Sequence, residues 1–107
     1  MSVPLSPVTE QLVRLAPHMQ LAHHIPGRIR LRIRHSGLEA AQNIDIHDVA
    51  RSVPGIRGIR LNPFNRSVVI EYDSVLFPPD LWETMLQLGS RPELLPEVRE
   101  RLQRLVG

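Results

Sequence analysis

The chain has 107 residues, 42% of them hydrophobic and 22% charged, which is typical of one small globular domain. It contains no cysteine, which excludes disulfides, thiolate metal sites and cysteine catalysis. The formal charge is +2, and all 13 basic residues are arginine. Because a guanidinium stays protonated and binds carboxylate or phosphate through a fork of donors, we expect the basic surface to suit oxyanions.

Apolar runs in the sequence are too short to cross a membrane. The first thirty residues also lack the charged start and apolar stretch of a signal peptide. We therefore expect a cytoplasmic protein with no membrane span.

The N-terminal part is predicted to carry one short helix. Ser6 is a candidate N-cap, Pro7 suits the first helical position, and Pro17 stops the apolar stripe between them. These features predict a helix over residues 7–16, weakly docked, in an N-terminal extension of residues 1–18. Residues 19–22 are expected to be extended.

The next element is the most regular strand pattern in the chain. From residue 28 onward, charged and apolar residues alternate without a break, which is typical of a half-buried strand. The outward positions are Arg28, Arg30, Arg32 and Arg34. Such a row repels itself unless an anion lies over it, so it is the feature that most needs a functional explanation. Pro26 and Gly27 mark a bend just before this strand.

After the strand the period becomes helical, and the remaining elements follow in order. We expect one helix over about residues 38–53, with Asn43-Ile44-Asp45 as a possible interruption or cap. A hairpin of residues 56–61 and 67–72 comes next, then a helix from Pro78-Pro79-Asp80 to Gly89, and a third helix from Pro96. Ile59 and Leu61 should face inward.

The element order predicts an α+β fold, a ferredoxin-like split βαβ sandwich of order βαββα. The expected domain spans residues 19–90, followed by a C-terminal helix over 91–107. A fourth strand is expected either to be very short, near residues 92–95, or to be replaced by the C-terminal helix. That helix carries an apolar stripe of Val98, Leu102, Leu105 and Val106, which alternatively predicts packing against a second copy as a homodimer.

Several short motifs follow one another in an order typical of one family. They are Pro26-Gly27-Arg28-Ile29-Arg30-Leu31, Val53-Pro54-Gly55-Ile56 with Ile59 and Leu61, Asn62-Pro63, Ser67-Val68-Val69-Ile70 and Glu71-Tyr72-Asp73. Together they resemble the heavy-metal-associated (HMA-like) domain in its cysteine-free branch, and the likeness extends over about residues 22–90. The resemblance implies a module found alone or at the front of P-type metal-transporting ATPases, with arginine-rich members tied to iron handling and iron-phosphate storage compartments.

The chain departs from that family at the metal loop. Where the family has Cys-x-x-Cys, this sequence has His35-Ser36-Gly37, so copper-chaperone chemistry does not carry over. Any site must then use imidazole, and the candidate ligands are His23, His24 and His35. Adjacent residues on an extended chain point in opposite directions, and a lone histidine in a turn is usually solvated. We therefore expect at most weak transition-metal binding.

No catalytic motif is evident. The sequence lacks a nucleophile–base pair, a glycine-rich phosphate loop and a metalloprotease helix motif, so we do not expect an enzyme.

The first functional hypothesis is an accessory module of metal homeostasis, with iron as one candidate metal. Its arginine row would dock on a P-type metal ATPase, a metal-storage assembly, phosphate or another polyanion. The second is a nucleic-acid binder using the same face, although its outward positions lack aromatics for base stacking. The third is a solvated face balanced by Glu71.

Overall fold

The computed structural model describes residues 5–106, with only the backbone of Val106. This part of the chain is an α+β structure with a four-stranded antiparallel sheet and five α-helices. The elements are α1 (Pro7–Leu15), β1 (Met19–Ile25), β2 (Arg28–Ile33), α2 (Leu38–Gln42), α3 (Ile46–Ser52), β3 (Ile56–Asn62), β4 (Ser67–Tyr72), α4 (Pro79–Leu86) and α5 (Leu95–Val106). The expected α+β class and the strands β2, β3 and β4 are confirmed.

The strand order is β1-β2-β4-β3, so β2 and β4 occupy the centre of the sheet. β1 and β2 form a hairpin through Pro26 and Gly27, and Gly27 has a φ of +92°. Proline followed by a residue of positive φ is typical of a type II turn, which explains why these two residues reverse the chain. The bend predicted before the central strand is therefore the tip of a hairpin.

The fourth strand is β1, which precedes the central strand, and the prediction that it lies near residues 92–95 is wrong. Pro92–Leu94 is a single 3₁₀ turn that leads directly into α5. Proline fixes φ and lacks an N–H, which suits the first turn of a helix and disfavours a strand interior. β1 was hard to recognise because its register shifts between Leu21 and His23, so apolar residues do not alternate along it.

Helix α1 is part of the core, so the expectation of weak docking is wrong. The Ser6 side chain accepts a hydrogen bond from the Thr9 N–H at 3.2 Å, which caps the helix at its predicted start. Leu12 and Val13 are only 5% and 3% exposed. The apolar face of α1 belongs to the same buried cluster as the sheet. Residues 1–4 of the predicted extension lie outside the described residues.

The long helix predicted over residues 38–53 is two short helices. α2 ends at Gln42, and Asp45 begins α3 by accepting a hydrogen bond from the His47 N–H at 2.9 Å. Aspartate at an N-cap satisfies backbone donors that would otherwise be unpaired, so the helical pattern restarts here. Val49 is the only fully buried residue of these two helices.

Helix α5 packs within the chain, and two of the four residues in the apolar stripe that pointed to a homodimer are buried there. Val98 is fully buried and Leu102 is 1% exposed. Arg99 pairs with Glu10 of α1, and Arg101 pairs with Asp80 at 2.8 Å, at the start of α4. Val98 and Leu102 therefore make an intramolecular contact, Leu105 is only partly buried, and the side chain of Val106 lies outside the described residues. No helix within residues 5–106 has the length and apolar character needed to span a membrane.

Candidate anion-binding surface

The arginine row lies on the central strand β2, on the sheet face opposite the core. Ile29, Leu31 and Ile33 are buried, whereas Arg28, Arg30 and Arg32, which alternate with them along the strand, are exposed. Arg28 lies opposite Glu71 of β4, and Arg30 lies opposite Val69. The predicted outward direction of Arg28, Arg30 and Arg32, and their position beside β4, are confirmed.

A fourth arginine joins the row from the far side of β4. Val69 pairs with Arg30 on one side and with Arg60 of β3 on the other. Neighbouring strands are about 4.8 Å apart, so the backbones of Arg30 and Arg60 are about 10 Å apart on the same face. Arg60 was not predicted to join this row, although the inward positions of Ile59 and Leu61 already imply that Arg60 points outward.

Polar residues of the edge strand β1 complete this surface. His23 pairs with Arg30, and Gln20 pairs with Arg32. We call the set Arg28, Arg30, Arg32, Arg60 and His23 the arginine face. Arg34 lies just beyond the end of β2, exposed and with extended backbone, and its N–H donates to the His18 carbonyl at 2.8 Å. It therefore extends the row past the sheet.

Charges on the arginine face are not neutralised by ion pairs. Six arginines of the described chain form salt bridges with carboxylates, and they are Arg51, Arg57, Arg91, Arg99, Arg101 and Arg104. Within residues 5–106, no salt bridge involves an arginine of the arginine face. Glu71, the one carboxylate paired in register with it, makes no salt bridge there either. The face therefore carries several uncompensated positive charges at close spacing.

Near the β1–β2 turn, the arginine face adjoins negatively as well as positively charged side chains. A shallow pocket of about 390 Å³ is lined by Arg28, Glu71 and residues of the adjoining turns, among them Arg57 and Asp73. Arg57 donates to Asp73 at 3.1 Å. Hydrogen bonds from the Val75 and Leu76 backbone N–H groups lower the pKa of the Asp73 carboxyl, and the Arg57 charge adds to this effect. Positive and negative groups balance here, so the anion-attracting part is the row from Arg30 to Arg32 and across to Arg60.

The three candidate metal ligands are not brought together. His23 lies on the arginine face, whereas Nε2 of the adjacent His24 lies 2.6 Å from the Tyr72 hydroxyl, which is part of the core cluster. His35 lies against Arg66, whose Nη1 is 2.8 Å from the His35 Nδ1. Among the described residues, no group of three or more histidine, aspartate or glutamate side chains is placed to hold a metal ion.

Comparisons of the chain with protein-family models, with curated proteins and with solved structures gave no significant match.

Proposed function

We propose that this chain is a non-catalytic binding module that docks on an anionic ligand or an acidic partner surface through the arginine face. One observation carries the proposal: none of the arginines of the arginine face has a carboxylate partner, whereas six of the nine described arginines outside it have one. Neighbouring carboxylates compensate the charge of surface arginines, although each exposed ion pair adds at most about 1 kcal/mol to stability. A cluster without them is typical of a surface that meets an external anion.

The spacing supports binding of several anionic groups at once. Alternate residues on one strand face are about 7 Å apart, and Arg30 and Arg60 are separated by about 10 Å across the sheet. These separations are close to the Debye length of about 8 Å at physiological ionic strength, so the guanidinium groups repel one another appreciably. An extended polyanion or an acidic protein surface relieves that repulsion at several positions together. A single small anion would contact only one or two of them.

The proposed fold is a ferredoxin-like sandwich whose fourth strand precedes the others in the chain. β2, the α2–α3 segment, β3, β4 and α4 follow in the order strand, helix, strand, strand, helix. β1 occupies the edge beside β2. This arrangement and the likeness of residues 22–90 to HMA-like domains support a partner in metal homeostasis, either a P-type metal ATPase or a metal-storage assembly, with iron as one candidate metal. A gene for such a partner beside this one would support the assignment.

Nucleic acid is the second candidate ligand for the same surface. None of the four aromatic residues Phe64, Tyr72, Phe77 and Trp82 belongs to the arginine face, where bases would need them for stacking. A nucleic acid would therefore bind through its phosphates, without preference for sequence. An acidic protein surface agrees better with the arginine face, because the uncharged residues Gln20 and Val69 lie beside its arginines.

The test is a charge-matched comparison of two double variants. Arg30→Gln/Arg32→Gln removes two charges from the arginine face, and Arg51→Gln/Arg104→Gln removes two exposed charges from helices elsewhere. Binding of inorganic polyphosphate is measured by calorimetry over a range of salt concentrations. We expect the first variant to bind more weakly, with a salt slope smaller by about one for each phosphate that it no longer neutralises, and the second to resemble the wild type. Equal effects of both variants would contradict the proposal.

A single-stranded oligonucleotide of the same charge serves as the comparison ligand. Stronger binding of polyphosphate, or equal binding of all oligonucleotide sequences, agrees with recognition of charge alone. Preference for one sequence would favour the nucleic-acid function instead.

A further inference from the structure

An apolar cavity of about 260 Å³ lies on the other side of the sheet, under the helices α2 and α3. Its floor includes Ile59, Val68 and Ile70 of the sheet, and its roof includes Leu38, Ala41 and Val49. Residues of α1 and β1 close the inner end. Part of its lining is exposed to solvent, and close packing between a sheet and its covering helices would ordinarily leave less apolar space than this.

The two roof helices explain why the space is not filled. α2 has five residues and no fully buried side chain, and α3 has seven residues, of which only Val49 is fully buried. The break at Asn43 and Asp45 interrupts the helical face that would otherwise cover the sheet. Such a thinly packed cover can move aside at low energetic cost, because it buries few apolar side chains.

The lining of the cavity is not wholly apolar. Leu61, which lines it, is 51% exposed although it lies on the covered face of β3. Gln42 and Arg66 are the only polar side chains among the lining residues. The cavity is therefore apolar inside, with a cation and an amide among the residues that line it.

Arg66 is held in position by its backbone. Its carbonyl accepts a hydrogen bond from the Ile33 N–H at 2.8 Å, which ties the β3–β4 turn to the end of β2. Its φ is +54°, a left-handed conformation that is uncommon for a residue other than glycine. The guanidinium contacts the His35 ring, and within residues 5–106 Arg66 forms no salt bridge with a carboxylate. Arg66 also lines the cavity, and no carboxylate of the described residues neutralises its charge.

We propose that this cavity binds a small amphipathic carboxylate, a medium-chain fatty acid or a compound of similar shape. Apolar cavities of about 150 Å³ bind benzene, so about 260 Å³ accommodates roughly ten non-hydrogen atoms. The hydrocarbon part occupies the space between the sheet and the α2–α3 cover. The carboxylate accepts hydrogen bonds from the Arg66 guanidinium and the Gln42 amide, as a planar anion does at a guanidinium fork. This site is independent of the arginine face, because the two lie on opposite sides of the sheet.

Octanoate and 1-octanol are the probes, since they share a tail and differ in the charge of the head group. We expect calorimetry to show saturable octanoate binding that Arg66→Gln weakens about tenfold, while 1-octanol binding changes less than about twofold. Arg14→Gln is the matched control, because Arg14 is exposed on α1 and does not line the cavity. It should leave both affinities unchanged.

A second measurement locates the ligand without any variant. On addition of octanoate, the methyl NMR signals of Ala41 and Val49 should shift, and that of Val98, which does not line the cavity, should not. Filling the cavity with Ala41→Phe should abolish binding of both probes. Absence of saturable octanoate binding to the wild-type chain, equal effects of Arg66→Gln and Arg14→Gln, or methyl shifts outside the cavity would each overturn the proposal.

Discussion

Nε2 of His24 lies 2.6 Å from the Tyr72 hydroxyl oxygen. This contact links the edge strand β1 to the C-terminal end of β4. Tyr72 is 2% exposed, and the centroid of its ring lies 5.6 Å from that of Trp82 and 6.0 Å from that of Phe77. A buried hydroxyl needs a partner, and the imidazole supplies it. This contact fastens β1 to the core at the point where the strand register is irregular.

The burial of Tyr72 predicts how the free energy of unfolding changes with pH in the alkaline range. Burial raises the pKa of the Tyr72 phenol above its ordinary value of 10.0. The folded state therefore favours the neutral phenol, and its contribution to stability is complete below pH 10 and is lost as the pH rises through the raised pKa. The chain has no lysine or cysteine and only one tyrosine, so no other side chain titrates in this range.

We expect the phenolate absorbance of the folded protein to appear at higher pH than that of the urea-unfolded protein. The urea midpoint should fall over the same pH range in the wild type and remain flat in Tyr72→Phe. An unshifted titration in the folded protein would contradict the burial of this hydroxyl.

The positive φ of Gly27 predicts that a side chain at this position of the β1–β2 turn lowers the stability of the fold. Gly27→Ala places a Cβ at a φ of +92°, and that atom would lie 3.4 Å from the Tyr72 carbonyl oxygen. We expect a loss of about 1–2 kcal/mol in the free energy of unfolding, because L-residues disfavour this conformation. Gly58→Ala is the control: its Cβ meets no heavy atom within 4 Å, and its φ lies outside the positive range. That variant should be unchanged or more stable by up to about 1 kcal/mol. Chemical denaturation measures both.

Docking of α5 predicts unequal effects of two leucine truncations. Leu102 is 1% exposed, whereas Leu105 is only partly buried. Leu102→Ala should cost about 2–5 kcal/mol through reduced burial and a residual cavity. Leu105→Ala should cost about 1 kcal/mol. The fluorescence of Trp82, the only tryptophan, reports unfolding from within the core. Similar small effects of both variants would mean that α5 does not pack on the core in solution.

Separation of the three candidate histidines predicts weak metal binding. His23 and His24 lie on opposite sides of β1, and His35 is engaged by Arg66. We expect elemental analysis after dialysis to find less than one equivalent of copper, zinc or iron, because isolated imidazoles bind weakly and lose metal as the pH falls. One retained equivalent would contradict this prediction. Its loss in His23→Ala, but not in the matched His47→Ala, would then locate the ligand.

Local patterns were enough to predict the features that depend on neighbouring residues in the chain. The alternation around Ile29 and Leu31 determined both β2 and the outward direction of the arginines, because a side-chain period of two needs only one buried face. Ser6 capped α1 where the sequence indicated, since capping is a contact over three residues. The sequence also indicated a possible break at Asn43-Ile44-Asp45, but it did not show that this segment forms two separate helices.

Sequence patterns were sufficient to separate the buried from the exposed face of most elements, whereas the way in which these faces meet depends on contacts between distant segments. β1 pairs with β2 despite its irregular pattern because a type II turn at Gly27 brings the strands together, and the backbone hydrogen bonds of a ladder do not depend on side-chain periodicity. α5 covers the core because Leu102 packs against apolar residues that are distant from it in the chain. Arg60 joins Arg30 only through the register of β4, and the cavity beside Arg66 exists only because two short helices cover the sheet incompletely. Contacts between distant segments depend on the combined shape of all elements, which no single stretch of sequence contains.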